Sequence, residues 1–464
     1  MPNIADLSAA ELIEGYRSHA LSPVEVARDV LARIEANVGF NAFLPIKPEQ
    51  AIAAAQASEK RWRDGAPLGA VDGLPTTVKD NIWQKGEPTR RGSRTGDPKP
   101  EPADAPAVAR LREQGAVFVG KTTLPEWGWV GACHCPLTGI TRNPWNPDYT
   151  PGGSTGGGAV AALLGLGVLH LGTDGAGSLR IPAAFSGVFG FKPSYGRVPA
   201  FPPSPFNVLA HQGPIARRVG DAALMLSVIS GPDMRDMTAW NTEPEDFVAG
   251  LDEGVRGLRV AYSPRLGTAA KPTAEIEAAA RNAARALEAA GATVEEADPP
   301  LDGALEAILG MWWPGVAAIV ASVPEAQRSL MDPDLLAGAA RGRHATVGDY
   351  LAAYTRRNAL YLAMLEFHRR YDLLVTPTMP VTALKVGAVM PEGGRPDGDW
   401  TDWSPYTYPF NLTQQPAASV LSGLAGNGLP MGVQIVGPPR GDRLVLRAAR
   451  VVEQALPMPR PPVG

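Results

Sequence analysis

Serine residues followed three positions later by glutamate mark the starts of two predicted helices near the N-terminus. Ser8 precedes Glu11, Ser22 precedes Glu25, and Pro23 stands at the first helical position of the second segment. A hydroxyl at the N-cap with an acid three residues on forms a capping box, and proline suits the first helical turn. The pattern therefore predicts two helices that begin directly after Ser8 and Ser22.

The helical pattern continues through about residue 65. After Ser22, one face is apolar and carries Val26, Val30, Leu31 and Ile34. The alanine-rich stretch from Pro48 to Arg63 predicts a third helix. None of these segments carries a group of polar residues that could form a functional site. The N-terminal residues, about 1–65, are therefore predicted to be helices that pack on the rest of the chain as scaffold.

Further along, helical stretches lead through glycine into short runs of β-branched and apolar residues. The helix predicted from Ala105 to Gln114 passes through Gly115 into a strand predicted from Ala116 to Gly120. The pattern continues with predicted strands at Leu258–Tyr262, Thr293–Glu296, Leu373–Thr376 and Met431–Val436, and predicted helices at Thr273–Ala290 and Asp442–Gln454. Such alternation is typical of an α/β sheet covered by helices.

Charge and composition narrow the class of partner. The 464 residues carry a formal net charge of −4, and 19% of them are charged, with no basic run or acidic tail. Nucleic acid and membrane are therefore not expected as partners. The apolar run Ala159–Leu171 is shorter than the roughly 20 residues that cross a bilayer. Because the first residues carry acids where a signal peptide is basic, we expect a soluble, cytoplasmic protein.

Metal binding is not expected from the sequence. Both cysteines flank a histidine, as Cys133-His134-Cys135, and the remaining histidines stand alone without metal-ligand spacing. Two cysteines build no disulfide framework, and a zinc site would lack its fourth ligand. Catalysis is then expected to use side chains alone, with no metal and no cofactor.

The segment from Pro151 to Arg197 is dense in glycine around Ser154 and Ser178. Glycine lets the backbone approach a ligand closely, so this density indicates main-chain N–H groups aimed at a reacting atom. A flexible linker is the alternative, but linkers are polar and this segment contains the apolar run Ala159–Leu171. A phosphate-binding loop needs Gly-Lys-Ser/Thr, whereas Gly158 is followed by alanine and valine. The spacing of a dinucleotide-binding motif is also broken.

A short β-type run that starts at Gly73 ends in Lys79, followed by the turn formers Asp80 and Asn81. A lysine that closes an apolar strand can have its amine drawn into the interior, where desolvation lowers its pKa and makes it a usable base. The residues themselves equally allow an ordinary lysine whose head group reaches water. Partners elsewhere in the chain must decide between the two.

Aromatic side chains cluster in two places in the C-terminal third. The groups are Trp312-Trp313 and Trp400, Trp403, Tyr406, Tyr408 and Phe410. Side chains that bury so much area are expected mainly in the core. The second group precedes the polar segment 411–416, which indicates a loop, and aromatic residues on loops are the candidates for lining an apolar pocket.

Motifs that run in one order along nearly the whole chain resemble those of the amidase signature family of serine hydrolases. They are GLPTTVKDN (73–81), TRNPWNP (141–147), PGGSTGG (151–157), GTDGAGSLRIP (172–182), FKPSYGRV (191–198), FNLTQQPAA (410–418) and GLPMGVQIVG (428–437). The resemblance implies an α/β fold with a single large mixed β-sheet core covered by α-helices on both faces. It also implies one amidase signature domain over residues 1–464.

The resemblance further implies the catalytic residues. The family's Ser-cisSer-Lys triad maps onto Ser178 as the nucleophile, Ser154 as the proton relay and Lys79 as the base. The peptide bond between Gly153 and Ser154 is then expected to be cis. A serine hydroxyl needs a base to become nucleophilic, and Lys79 serves as one only when it is neutral, so the resemblance favours a buried Lys79.

The loop before Ser178 is implied to stabilise the reaction. Backbone N–H groups of Gly175, Ala176 and Gly177 would form the oxyanion hole, and Thr155, Asp174 and Arg180 are predicted to support the site, the last two through an ion pair. Ala176 stands where the family usually has glycine, and its Cβ would be strained if that position required φ > 0. Thr155 stands where a second serine is usual, and its hydroxyl can keep the same hydrogen bond.

The implied function is hydrolysis of C–N bonds in small apolar or aromatic amides through an acyl-enzyme, a route that also serves esters and carbamates. The alternative is the glutamine-hydrolysing subunit of a tRNA-dependent amidotransferase. In those subunits an acid tends to sit two residues before the aromatic that matches Tyr406, and here that position is Ser404. The expected partner is a small-molecule amide substrate. No pattern decides the oligomeric state, and the sequence is compatible with a homodimer.

Overall fold

The computed structural model describes residues 3–268, 271–394, 398–456 and 459–462. Its strands are β1 (Pro75–Lys79), β2 (Val117–Thr122), β3 (His134–Cys135), β4 (Gly139–Ile140), β5 (Leu169–Asp174), β6 (Phe189–Lys192), β7 (His211–Ala216), β8 (Arg259–Tyr262), β9 (Thr293–Glu296), β10 (Leu373–Pro377), β11 (Ala417–Leu424) and β12 (Pro430–Val436). β3 and β4 pair only with each other, and the other strands form one 10-stranded sheet.

The large sheet is mixed, as predicted. Its strands follow the order β2-β1-β5-β7-β6-β11-β12-β10-β8-β9. β1 is parallel to its neighbours β2 and β5, and β8 is parallel to β10 and β9. The pairs from β5 across to β10 are antiparallel. Neighbouring strands such as β1 and β5 are therefore far apart in sequence, and the sheet brings their C-terminal ends together.

Helices surround this sheet. They are α1 (Ala9–Arg17), α2 (Pro23–Ala36), α3 (Pro48–Arg63), α4 (Pro106–Glu113), α5 (Gly156–Leu164), α6 (Arg180–Ser186), α7 (Val219–Ile229), α8 (Ala274–Ala289), α9 (Ala304–Ser322), α10 (Pro333–Gly342), α11 (Val347–Arg370), α12 (Pro409–Leu412) and α13 (Asp442–Ala455). The predicted starts after Ser8 and Ser22 are confirmed, and both serines form complete capping boxes with Glu11 and Glu25.

The two faces of the sheet belong to different hydrophobic cores. In β10, Leu373 and Val375 pack in the core that contains α7, α8 and α13, whereas Leu374 between them packs in the core that contains α6 and the aromatic helix α9. Successive side chains of a strand point to opposite faces, so this alternation shows that helices cover the sheet on both sides. The predicted fold class is confirmed.

Helix α9 carries the first aromatic group, Trp312 and Trp313. By length and composition it is apolar enough to cross a membrane. Here it packs against α10 and α11 and buries Met311, Trp312 and Val316 among its side chains, so its apolar surface is used within the fold.

Strand β1 decides the environment of Lys79. All five residues of β1 are buried, because the strand lies between β2 and β5 and is covered on both faces. Its last residue, Lys79, is 0% exposed. The interpretation of Lys79 as a lysine whose head group reaches water is therefore wrong.

Helix α5 begins where the glycine-rich segment meets the core. Gly157 lies in its first turn, and a Cβ there would lie 2.4 Å from the carbonyl oxygen of Ala42 and 2.5 Å from the backbone nitrogen of Thr123. Both atoms are backbone, so neither side of the contact can move cheaply. Glycine at this position lets α5 approach the chain that continues from β2.

We expect the Gly157→Ala substitution to lower the free energy of unfolding by about 1–3 kcal/mol, as overpacking of a close contact does. Gly220 in α7 provides the control, because a Cβ there meets nothing within 4 Å, and Gly220→Ala is expected to be neutral or slightly stabilising. Denaturant unfolding of both variants measures the difference. Wild-type stability of the Gly157→Ala variant would contradict this packing.

Candidate active site

The amine of Lys79 is surrounded by three hydroxyl groups. Its Nζ lies 2.7 Å from Ser154 Oγ, 3.0 Å from Thr155 Oγ1 and 2.9 Å from Thr173 Oγ1. The sheet creates this contact, because Thr173 lies on β5 next to β1, and the loop with Ser154 and Thr155 leads into α5. The predicted residues Lys79, Ser154 and Thr155 are thus brought together, and Thr173 joins them.

The hydrogen bonds around Lys79 fit an ammonium that donates to all three hydroxyls, and they also fit a neutral amine that accepts from Ser154. Thr155 Oγ1 donates its own proton to the carbonyl oxygen of Thr173 at 3.1 Å, so it must accept from Lys79. Thr173 Oγ1 accepts from Asn81 Nδ2 at 3.0 Å and also from Lys79. A neutral amine has two protons and one lone pair, so these two donations leave the lone pair for the Ser154 hydroxyl.

The electrostatics agree with a neutral lysine. Burial lowers the pKa of Lys79 from its usual 10.5 to about 7, because the charged form loses its hydration. The nearby Cys133 thiol, whose pKa burial raises to about 11, is uncharged at neutral pH. The charge of Asp174 acts to raise the pKa of Lys79 without a direct contact, because the Asp174 carboxylate is paired with Arg180. A substantial fraction of Lys79 is therefore a free base near pH 7.

Ser154 is held by close backbone packing. The peptide bond between Gly153 and Ser154 is cis, as predicted. A Cβ on Gly153 would lie 2.4 Å from the carbonyl oxygen of Ala132, and one on Gly128 would lie 3.0 Å from Ser154 Oγ. The two glycines leave the Ser154 hydroxyl room between Lys79 and the cavity.

Ser178 stands at the end of the loop that follows β5. Ser154 and Ser178 line one cavity of about 240 Å³, named here the serine cavity. The backbone N–H of Thr155 donates to the carbonyl oxygen of Ser178 at 3.1 Å, which joins the two serine-bearing loops directly. All three predicted triad residues thus belong to one region, with Lys79 behind Ser154 and both serines facing the cavity.

The loop before Ser178 accommodates Ala176 without strain. In this loop the backbone φ of Gly177 is positive, at +132°, whereas that of Ala176 is not. A Cβ on Gly177 would lie 2.5 Å from Thr407 Oγ1, while the Ala176 carbonyl accepts from that same hydroxyl at 2.6 Å. Glycine is thus required at position 177, and alanine is tolerated one position earlier.

The backbone amides of this loop have two different roles. Gly177, predicted as an oxyanion donor, instead donates its N–H to Asp174 Oδ1 at 2.7 Å. Within the described part of the chain, the N–H groups of Gly175, Ala176 and Ser178 have no hydrogen-bond acceptor. Gly175 and Ser178 line the serine cavity, so their amides, and not that of Gly177, are available to a ligand there.

Asp174 and Arg180 form the predicted ion pair, with Nη2 2.9 Å from Oδ1 and both side chains fully buried. Burial acts to raise the pKa of Asp174, but the charge and hydrogen bonds of Arg180 hold it well below its usual value. The remaining guanidinium protons reach the C-terminal motifs, at the Thr407 carbonyl, Asn411 Oδ1 and Gln434 Oε1. This network fixes the loop from Asp174 to Arg180, as the supporting role predicted for the pair requires.

Aromatic and proline residues form part of the wall of the serine cavity, beside polar residues such as Asn81, Thr173 and Gln212. Phe206 and Trp312 stack with ring centroids 3.9 Å apart, and Trp127 lines the cavity with them. Trp312 comes from the first aromatic group of the sequence. The second group is buried in the core, as expected of side chains with so much area, and does not line the described cavity.

Four further residues at the site were not assigned from the sequence. Asn81 and Thr173 lie inside recognised motifs, which was a usable signal, whereas Arg91 and His211 lie outside them. His211 Nδ1 lies 2.9 Å from the Leu209 carbonyl oxygen, and burial lowers the histidine pKa well below its usual value. His211 is therefore a neutral imidazole.

No cluster of three or more potential metal ligands occurs among the described residues. Cys133 and Cys135 are buried free thiols. The Cys-His-Cys sequence thus has no further ligand beside it in the part of the chain that the structure describes.

Comparison with known proteins identifies the class. The family model named Amidase matches residues 25–446. A bacterial aryl acylamidase of the amidase signature family superposes with a TM-score of 0.89 at 30% identity, covering 97% of this chain and 96% of that one. A 6-aminohexanoate cyclic dimer hydrolase superposes with the same TM-score at 28% identity, covering 99% of each chain.

Two relatives with assigned activities are equally similar to this chain, one an acylamidase and one an amidotransferase subunit, so the comparison does not separate these two activities. An acylamidase of Rhodococcus erythropolis is 36% identical over 462 residues, covering 98% of this chain and 96% of the relative. A glutamyl-tRNA(Gln) amidotransferase subunit of Anaeromyxobacter sp. (strain K) is also 36% identical, over 485 residues and 98% of each chain. The chain belongs to the amidase signature family.

The depressed pKa of Lys79 makes a prediction about stability. Unfolded lysine keeps its proton up to about pH 10.5, whereas the buried amine loses it above about pH 7. The unfolded state then binds more protons across this window, so the free energy of unfolding rises with pH through the Lys79 contribution. Relative to Lys79→Met, wild type should gain stability between pH 7 and 10.5. A pH-independent difference in urea unfolding would show that Lys79 remains charged.

Proposed function

We propose that the protein is an amidase that hydrolyses C–N bonds of small apolar or aromatic amides through Ser178, Ser154 and Lys79. The observation that carries the proposal is the buried Lys79 amine 2.7 Å from Ser154 Oγ. Its other two hydroxyl neighbours use up the protons of a neutral amine, which makes Ser154 the group whose proton it can take. Membership of the amidase signature family supports the same chemistry.

In the proposed mechanism, Ser178 passes its hydroxyl proton to Ser154 as Ser154 passes its own to Lys79. The Ser178 oxygen attacks the substrate carbonyl carbon, and the carbonyl oxygen becomes negative. The free N–H groups of Gly175 and Ser178 would stabilise that charge, and loss of one such donor typically costs about 3 kcal/mol in the barrier. The Gly177 amide has no part in this, because it holds the Asp174 carboxylate.

Collapse of the tetrahedral intermediate breaks the C–N bond. Ser154 donates a proton to the leaving nitrogen and recovers one from Lys79, which becomes neutral again. Water then attacks the acyl-enzyme by the reverse relay and releases the acid and the Ser178 hydroxyl. Every proton is moved by side chains of this chain, so the mechanism uses no metal and no cofactor.

The cavity supports the substrate class. Its volume of about 240 Å³ and its walls of Trp127, Phe206 and Trp312 suit a compact acyl or aryl group. Esters and carbamates share the acyl-enzyme route, so the proposal extends to them. We also propose that residues 1–464 act as a single domain in the cytoplasm on a small-molecule substrate. A homodimer remains compatible with this proposal.

The second candidate is glutamine hydrolysis within a tRNA-dependent amidotransferase, which the 36% identity to the Anaeromyxobacter relative favours. Recognition of free glutamine calls for an anion that faces its α-ammonium group. The described lining of the serine cavity includes no aspartate or glutamate. Ser404 is fully buried and donates to the Trp400 carbonyl at 3.0 Å. These observations favour the free-standing amidase.

The nucleophile assignment predicts selective covalent labelling. A fluorophosphonate probe should label wild type at Ser178, and Ser178→Ala should lose both labelling and turnover of a chromogenic anilide. Lys79→Ala should keep the Ser178 hydroxyl but lose activity by orders of magnitude, because no base remains. Mass spectrometry of the labelled peptide, with circular dichroism to check folding, measures the outcome. Labelling that persists in a folded Ser178→Ala variant would refute the assignment.

Substrate preference separates the two candidate functions. We expect the isolated chain to release 4-nitroaniline from acyl 4-nitroanilides and to release ammonia from glutamine at a far lower kcat/KM. The physical reason is the aromatic part of the lining and the absence of a described acid to hold the α-ammonium group. Assays of both reactions on one preparation measure the ratio. Efficient glutamine hydrolysis without anilide turnover would favour the amidotransferase function.

A further inference from the structure

The serine cavity contains an arginine without a counterion. Among the described residues that line it, Arg91 is the one arginine, and no aspartate, glutamate or lysine accompanies it. Arg180 and Arg197, whose side chains are buried, are paired with the carboxylates of Asp174 and Asp442, whereas buried Arg357 has no carboxylate partner among the described residues. Within the described chain no carboxylate lies within ion-pair distance of Arg91, whose side chain donates to the Thr89 carbonyl at 3.3 Å.

The two acids whose charges act on Arg91, Asp80 and Glu101, do not form an ion pair with it. Asp80 and Glu101 act on its pKa only through their distant charges, and burial, the larger effect, lowers that pKa. Asp80 instead pairs with Lys121, whose Nζ lies 2.9 Å from its Oδ1. Arg91 therefore gives the described lining of the serine cavity a net positive charge.

The position of Arg91 is set by the backbone. Arg91 and Trp127 both have φ +56°, and the Trp127 N–H donates to the Arg91 carbonyl at 2.7 Å. The Arg91 N–H in turn donates to the Asp80 carbonyl at 3.0 Å, next to Lys79 in the chain. The guanidinium carbon then lies 4.9 Å from the Trp127 ring centroid, which holds the cation over the indole.

The indole beside Arg91 also has a polar group without a partner. Trp127 Nε1 is buried and has no hydrogen-bond partner among the described residues. Burying an N–H without an acceptor costs about 1–3 kcal/mol, and a partly buried cation without a counterion adds to the cost. A carboxylate in the cavity would supply the counterion that Arg91 lacks among the described residues.

We propose that Arg91, held over the Trp127 ring, forms an anion subsite that binds a carboxylate carried by the amide substrate. The inference rests on the proposed amidase function and defines its substrate class as amides that bear a carboxylate on the acyl or the amine part. Arg91 is then a specificity-determining residue. Its planar guanidinium suits a carboxylate better than an ammonium does, because it donates two parallel hydrogen bonds.

Matched substrates test the subsite. Succinyl 4-nitroanilide is paired with its neutral isostere 4-oxopentanoyl 4-nitroanilide for the acyl side, and 4-acetamidobenzoate with 4-acetamidoacetophenone for the amine side. We expect wild type to prefer the acid in at least one pair by about 10- to 100-fold in kcat/KM, mainly through KM, as a charged hydrogen bond contributes. Arg91→Gln should abolish that preference, and Arg91→Lys should restore part of it.

The neighbouring arginine supplies a matched control. Arg90 lines a different cavity, which does not include the two serines, so Arg90→Gln removes the same charge one residue away and should keep the acid preference. Equal rates for acid and isostere in both pairs, or a preference that survives Arg91→Gln, would overturn the subsite.

Direct binding keeps the test independent of turnover. In the Ser178→Ala variant, calorimetry should show that succinyl 4-nitroanilide binds about 10-fold or more tightly than its neutral isostere, and that adding Arg91→Gln removes the difference. If wild type cleaves none of the four amides while this binding difference is present, the amidase proposal fails and the anion subsite stands. If cleavage occurs without any binding difference, the subsite fails alone.

Discussion

The amine of Lys79 is held inside the protein with hydroxyl groups as its neighbours in place of water or a carboxylate. Burial at the end of β1 penalises the ammonium form, and no described acid contacts Nζ to restore it. Thr155 and Thr173 accept its two protons. When the amine is neutral, its lone pair is left for the Ser154 hydroxyl, 2.7 Å away.

The second constraint is the rigidity of the loop that carries Ser178. The Asp174 carboxylate accepts hydrogen bonds from the backbone N–H groups of Gly177 and Leu179, at 2.7 and 3.1 Å, and from the Arg180 guanidinium. Arg180 extends the network to Asn411 and Gln434 in the C-terminal half. Groups more than 200 residues away thereby hold the loop, which explains physically why motifs far along the chain accompany the serines.

The charged side chains of the serine cavity determine which charged groups a ligand can carry. The histidine of the cavity is neutral, and the cation at its wall, Arg91, has no described carboxylate as a partner. The same lining lacks an acid for an α-ammonium group. Proteins of this family that share a fold and a lysine–serine arrangement can therefore differ in substrate through the few charged side chains around the cavity, which the shared motifs do not specify.

The sequence by itself determined what depends on local pattern and on the motifs. Capping boxes at Ser8 and Ser22 place two helix starts, and the resemblance identifies Lys79, Ser154 and Ser178. Tertiary structure decided the rest: that Lys79 is buried, that Thr173 touches it, that the Gly177 amide is occupied, and that no carboxylate of the described residues pairs with Arg91. These properties come from contacts between distant segments. The order of strands in the sheet sets those contacts, and no local periodicity encodes that order.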